Sequence, residues 1–205
     1  MYATKRIVQM LAAVALACGL PLAARAQIGS GWTPTTESFT IQTSNGATAK
    51  AIAGGYEFTT PNKGTGKVSR AEQRFATMPS NSTIQWQGDC KVKSMSGDRI
   101  SVKQCHQVTI SSFVIIALTK AGGTHFYLVN GPTLANYTIG TTARVTTIMN
   151  NKTGVCDIYV NGVHAGSKSG GKGGGGMYDK CGSYVTRSGT GGMDVTWTNL
   201  KFWKK

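Results

Sequence analysis

The chain has 205 residues, with 22 Lys+Arg against 8 Asp+Glu and a formal net charge of +14. A surface this positive draws polyanions through a long-range, salt-sensitive field. The few acids, Glu37, Glu57, Glu72, Asp89, Asp98, Asp157, Asp179 and Asp194, form no clustered pair on one expected strand face, which disfavours a glycoside hydrolase built on two carboxyl groups.

Lys5 and Arg6 precede an apolar run over 7–22, and Ala24-Arg25-Ala26 presents small residues at the two positions a signal peptidase reads. Residues 1–26 are therefore expected to be a signal peptide, and 27–205 a single exported domain, secreted or periplasmic. Lipidation at Cys18 is a poorer reading, because Ala15 and Leu16 do not suit the outer positions before a lipidated cysteine. No later apolar run is long enough to span a bilayer, so no membrane insertion is expected after processing. Removing Lys5, Arg6 and Arg25 with the leader leaves a charge of about +11. Acidic polysaccharides, anionic membrane surfaces and extracellular nucleic acid are the polyanions an exported protein meets. Nucleic acid is disfavoured, since no basic-aromatic motif accompanies the bulk charge. A monomer is the default for an exported single domain.

Beyond the leader, short runs rich in Thr, Val, Ile and aromatics predict strands over 38–43, 67–75, 83–93, 100–110, 112–118, 125–129, 143–149 and 156–160. Turn signals separate them at Asn45-Gly46, Pro61 to Gly64, Gly97-Asp98, Gly122-Gly123, Asn130 to Pro132, Asn161-Gly162 and Gly189 to Gly192. Strands at this spacing predict an all-β, two-sheet β-sandwich of the jelly-roll type.

Cys90, Cys105, Cys156 and Cys181 remain after processing. An even number in an exported chain reads as two disulfides, with three possible connectivities. A hairpin about Gly97-Asp98 would set Cys90 opposite Cys105 and leave Cys156 for Cys181. The spacing lacks the close Cys or His pairs of a zinc site, so no metal is expected. The glycine-rich stretch 167–176 reads as a mobile basic loop. Its likeness to a phosphate-binding loop fails, because Gly173 stands where Ser or Thr is required and no helix follows.

Three strands carry the candidate chemistry. Alternation puts Arg70, Glu72 and Arg74 on one face, Gln104 and His106 on one face with Cys105 turned away, and Tyr178, Lys180 and Tyr184 on one face with Gly182 as a gap. In the expected hairpin, Lys91 and Lys93 join the side of Gln104 and His106. Gln73 and Asp179 then point inward and need polar partners. Each stretch alone also fits an ordinary solvated strand face.

Together and in this order, Arg70-Ala-Glu-Gln-Arg74, Gln104-Cys-His106 and Tyr178-Asp-Lys-Cys-Gly-Ser-Tyr184 resemble the motifs of polysaccharide lyase family 7, the alginate lyases of β-jelly-roll (concanavalin A-like) fold. The resemblance covers 56–203. The face positions match, while Ala71, Gln73, Cys105, Asp179 and Cys181 depart from the family pattern, mostly on the core side; the departures put substrate identity in doubt more than the reaction. The resemblance implies a lyase that cleaves a uronic-acid polymer by β-elimination without metal or organic cofactor. Arg70 and Gln104, with His106 beside them, would neutralise the uronate carboxylate. Tyr184 would transfer protons, and His106 is the other candidate base. Arg74, Lys180, Tyr178, Glu72, Lys91 and Lys93 would bind substrate. The rival is a non-catalytic module that holds an acidic polysaccharide on the same face without cutting it.

Overall fold

β-branched and aromatic residues alternating with polar ones build fourteen strands among the described residues. In chain order they are β1 (Thr33–Thr35), β2 (Phe39–Ser44), β3 (Thr48–Ile52), β4 (Gly55–Lys63), β5 (Ser69–Phe75), β6 (Thr83–Met95), β7 (Asp98–Gln107), β8 (Ser111–Thr119), β9 (His125–Leu128), β10 (Thr133–Asn136), β11 (Ala143–Asn150), β12 (Val155–Val160), β13 (Val163–Lys168) and β14 (Met177–Lys204). The computed structural model describes residues 28–64, 66–108, 111–171 and 176–205. The expected leader and positions 172–175 of the glycine-rich stretch lie outside them.

All strand pairs are antiparallel, and they form the two sheets of a jelly-roll sandwich. The front sheet runs β2-β5-β14-β7-β8-β9-β10, and the back sheet runs β3-β4-β14-β6-β11-β12-β13 with β1 on the end of β14. β14 belongs to both. Its first half lies between β5 and β7, and its second half between β4 and β6. Gly189 to Gly192, expected as a turn, is where this one strand leaves the front sheet for the back.

The expected hairpin about Gly97-Asp98 is not formed. β6 pairs with β11 and β14 in the back sheet, whereas β7 pairs with β8 and β14 in the front sheet. The segment between them is a corner that crosses beside the β14 passage. A Cβ on Gly97 would lie 1.8 Å from the Thr190 carbonyl oxygen, and one on Gly191 2.2 Å from the Gly97 Cα. Two backbones this close leave no room for a side chain. Ser96 closes the corner, its amide donating to the Gly192 carbonyl at 2.9 Å and its Oγ accepting from the Gly192 amide at 3.0 Å.

The corner overturns two expectations. Cys90 is paired in register with Ala143 and Trp197, not with Cys105, and all four cysteines are buried free thiols in this structure. Lys91 and Lys93 stand exposed on the outer side of the back sheet, where Lys93 bonds Glu57 at 2.6 Å. They take no part in the front-sheet face. Local hairpin chemistry was outweighed because both strands find a longer partner in β14, one in each sheet.

Between the sheets lie Phe58, Phe75, Trp86, Val92, Ile100, Ile116, Leu118, Phe126, Val145, Ile158 and Trp197. Complete burial of such side chains contributes about 1.5–3 kcal/mol apiece. The inward polar residues find partners. Asp179 is ion-paired with Lys103, which is 0 % exposed and lies 4.5 Å from the Trp86 ring centroid. Gln73 Oε1 accepts from the Cys181 thiol at 3.6 Å, and Thr60 bonds Ser183 across the interior at 2.7 Å.

Candidate active site

The face of the front sheet turned away from the back sheet carries the three expected motifs on adjacent strands. In register, Tyr184 on β14 is flanked by Arg70 on β5 and Ser101 on β7; Lys180 is flanked by Arg74 and Gln104; and Tyr178 pairs with His106. Gly182 lies opposite Glu72. The structure thus brings Arg70, Glu72, Arg74, Gln104, His106, Tyr178, Lys180 and Tyr184 onto one surface.

Gly182 explains how this surface is assembled. Its φ is +150°, and a Cβ there would lie 2.2 Å from the Ala71 carbonyl oxygen. The position also lies in the stretch between Cys181 and Tyr184 where the β14–β7 register shifts. β5 and β7 are separated by two strand spacings, roughly 9.6 Å. With no side chain between them, Glu72 and Gln104 meet over the middle strand, Gln104 Nε2 donating to Glu72 Oε1 at 2.6 Å. The other Glu72 oxygen faces Lys180 Nζ at 3.6 Å.

That contact orients the next one. With its amide nitrogen on Glu72, Gln104 presents Oε1 to His106, whose Nε2 lies 2.9 Å away and must carry the proton to donate. Nδ1 is then the unprotonated nitrogen. The imidazole is stacked on Tyr178, with centroids 4.7 Å apart and planes 10° apart, and the Arg74 guanidinium lies 4.1 Å from the centroid of the same Tyr178 ring. Burial, then the charges of Lys180, Lys103 and Arg74, push the His106 pKa down to about 3. His106 is therefore uncharged at neutral pH.

Burial also raises the Glu72 pKa against the opposing pull of Lys180 and Arg70. For Lys180, burial lowers the pKa, Glu72 works against it, and Arg70 and Arg74 reinforce it. These shifts mark a desolvated, net-positive surface suited to an incoming carboxylate. Two buried nitrogens there have no hydrogen-bond partner, Arg70 Nε and His106 Nδ1. Buried polar atoms are ordinarily satisfied, so such a cluster fits a surface completed by a ligand or by water.

Two contributors were not anticipated. Ser112 on β8 pairs with His106 in register and places Oγ 3.4 Å from Gln104 Oε1 and 3.3 Å from His106 Nε2. A lone serine at the edge of a strand carries no signal in sequence; only the β7–β8 register gives it a role. Farther along the face, Arg99, Ser101, Ile115, Tyr127, Thr186 and Ser188 line a hollow. Arg99 and Tyr127 stand in separate strands and belong to none of the three motifs.

No family model matches the sequence, and none of the curated proteins matches it by sequence. The fold does have counterparts among solved structures. An alginate lyase of polysaccharide lyase family 7 superposes with a TM-score of 0.58 at 19 % identity, over 74 % of this chain and 79 % of that one. A marine family 7 alginate lyase from Zobellia galactanivorans gives 0.58 at 14 %, over 85 % and 95 %. A protein described as a sialidase gives 0.61 at 12 %, over 80 % of this chain but 16 % of its own. The chain is thus a distant structural match to the family 7 alginate lyases. At these identities the likeness is one of fold, and the chemistry has to be argued from the site.

Proposed function

We propose that the protein is an exported polysaccharide lyase that cleaves alginate or a related polyuronate by β-elimination. The observation that carries this reading is the face on which Arg70 Nε and His106 Nδ1 are buried without partners while His106 is held neutral beside Lys180 and Arg74. Family 7 alginate lyases on the same fold support the substrate class.

β-Elimination removes the proton on C5 of a uronate and expels the sugar linked through O4. The ionised carboxylate on C5 resists further negative charge, so that charge must be countered first. Arg70, Lys180 and the second amide hydrogen of Gln104 surround the place where it would sit, and their cost of ordering is met by the fold before substrate arrives. In the free protein His106 is a weak base, for the reasons of burial and charge given above. A carboxylate seated among those cations cancels their electrostatic share and leaves burial alone, which raises its proton affinity in the complex. Tyr184, half-buried next to Arg70 in register, protonates the leaving oxygen. Where the C5 proton and the leaving group lie on one face of the ring, Tyr184 takes the C5 proton as well; where they lie on opposite faces, His106 Nδ1 takes it.

The test is a panel of alginate, glucuronan and polygalacturonate with purified protein and no added metal. Ultraviolet-absorbing unsaturated ends are the expected product. Tight binding to one of these polymers with no such product on any of them would replace the lyase reading with the non-catalytic module.

A further inference from the structure

Cys105 sits between Gln104 and His106 on β7, its side chain turned from the candidate site into the interior. There Lys103 Nζ donates to its sulfur at 3.2 Å, and the sulfur lies 3.8 Å from Thr147 Oγ1 of β11, in the opposite sheet. Thr147 is a diagonal neighbour of Cys156: β11 and β12 pair Met149 with Cys156 and Thr147 with Ile158. Cys156 and Cys105 are 0 % and 1 % exposed, and the Cys105 thiol beside it, then burial, raise the Cys156 pKa well above the ordinary thiol value.

We propose that Cys105 and Cys156 form a disulfide between the two sheets, which ties the strand bearing Gln104 and His106 to β12 on the far side of the sandwich. This replaces the pairing of Cys90 with Cys105 expected from the hairpin, which is not formed. The proposal does not depend on the lyase reading.

The chemistry is thiol–disulfide exchange with an external disulfide, either a small molecule or a protein. The thiolate of one cysteine attacks that disulfide, forms a mixed disulfide and releases one thiol of the exchange partner. The second cysteine then attacks the protein sulfur of the mixed disulfide and releases the other thiol. Two cysteine thiols are oxidised, one external disulfide is reduced to two thiols, and their protons pass to those thiols. Both cysteines are inaccessible once the sheets have closed, so the exchange belongs to folding and not to the finished protein. The loop closed is about 50 residues, a length at which a cross-link strongly restricts the unfolded chain.

The experiment uses the full chain exported to an oxidising compartment and purified without reductant. It is denatured in the presence of an alkylating reagent, digested, and its peptides are weighed before and after reduction. The expected result is a linked pair of peptides carrying Cys105 and Cys156 that separates on reduction. Alkylated Cys105, or Cys105 linked to Cys90 or Cys181, overturns the proposal. A second measurement checks the consequence. Protein reduced in denaturant and refolded as thiols should melt roughly 10 °C below the oxidised protein. Cys156→Ala should lose most of that difference, and Cys90→Ala should keep the linked peptide pair. An unchanged melting temperature on reduction of the wild type contradicts the cross-link.

Discussion

His106 is neutral because burial and the cations Lys180, Lys103 and Arg74 act in the same direction, and this has a consequence for stability. The folded pKa, about 3, lies below the ordinary value of 6.5. As pH falls below 6.5 the unfolded chain takes up a proton on this histidine that the folded chain refuses. Its stabilising contribution is therefore whole above the ordinary value and lost progressively as pH falls toward 3, on the order of a few kcal/mol. Urea melts at pH 7 and pH 4 should show wild type losing stability and His106→Gln losing less; equal losses would remove His106 from the account. Lys103 and Asp179 make a second residue-scale case. Burial lowers the Lys103 pKa, but the Asp179 carboxylate and Cys105 outweigh it and raise it above the ordinary lysine value. Lys103→Met strands Asp179 in the interior and should cost about 3–5 kcal/mol in urea denaturation, while adding Asp179→Leu should restore most of it. The need for such a partner was legible in the inward position of Asp179. Its identity was not, because Lys103 reads as one more surface lysine until the strand register turns it inward.

At the scale of elements, β14 and its glycines decide the architecture. Gly182 lets β5 pack against β14 and leaves the gap over which Glu72 meets Gln104. Gly182→Ala should lower stability by about 2–4 kcal/mol, since it adds a side chain against the Ala71 carbonyl at an unfavourable φ. Thermal melting measures this, and an unchanged melting temperature would show that the strand can yield there. Alternation alone located the three strands of the candidate face and the sides taken by Arg70, Gln104, His106 and Tyr184. It did not locate β1, β3, β4, β10, β13 or the part of β14 beyond Gly192, whose sequences are short, polar or interrupted by Pro61 and glycine. The β6–β7 connection was misread for a physical reason. Turn residues show that the chain reverses, but they do not show whether the next strand pairs with the last or crosses to the other sheet.

Across the whole molecule, the charge and the front-sheet face point to the same class of partner. The formal net charge of +14 follows from composition, and the orphaned Arg70 and His106 nitrogens follow only from the fold. Long-range attraction to a polyuronate is screened by salt, whereas contacts in a desolvated site are screened much less. Raising ionic strength from about 0.05 to 0.5 M should therefore raise KM several-fold and leave kcat nearly constant; a kcat that falls in parallel with affinity would contradict this division.

As a lyase, the protein would cleave a polyuronate on this face and not merely hold it. The most direct measurement is the rate at which unsaturated ends form when wild type and Tyr184→Phe are given the same polyuronate, with binding of each variant measured alongside. Product is expected from wild type, with a rate lower by a factor of about 10²–10⁴ in Tyr184→Phe at nearly unchanged binding. Equal rates in the two proteins, or binding by wild type without any unsaturated product, would contradict it.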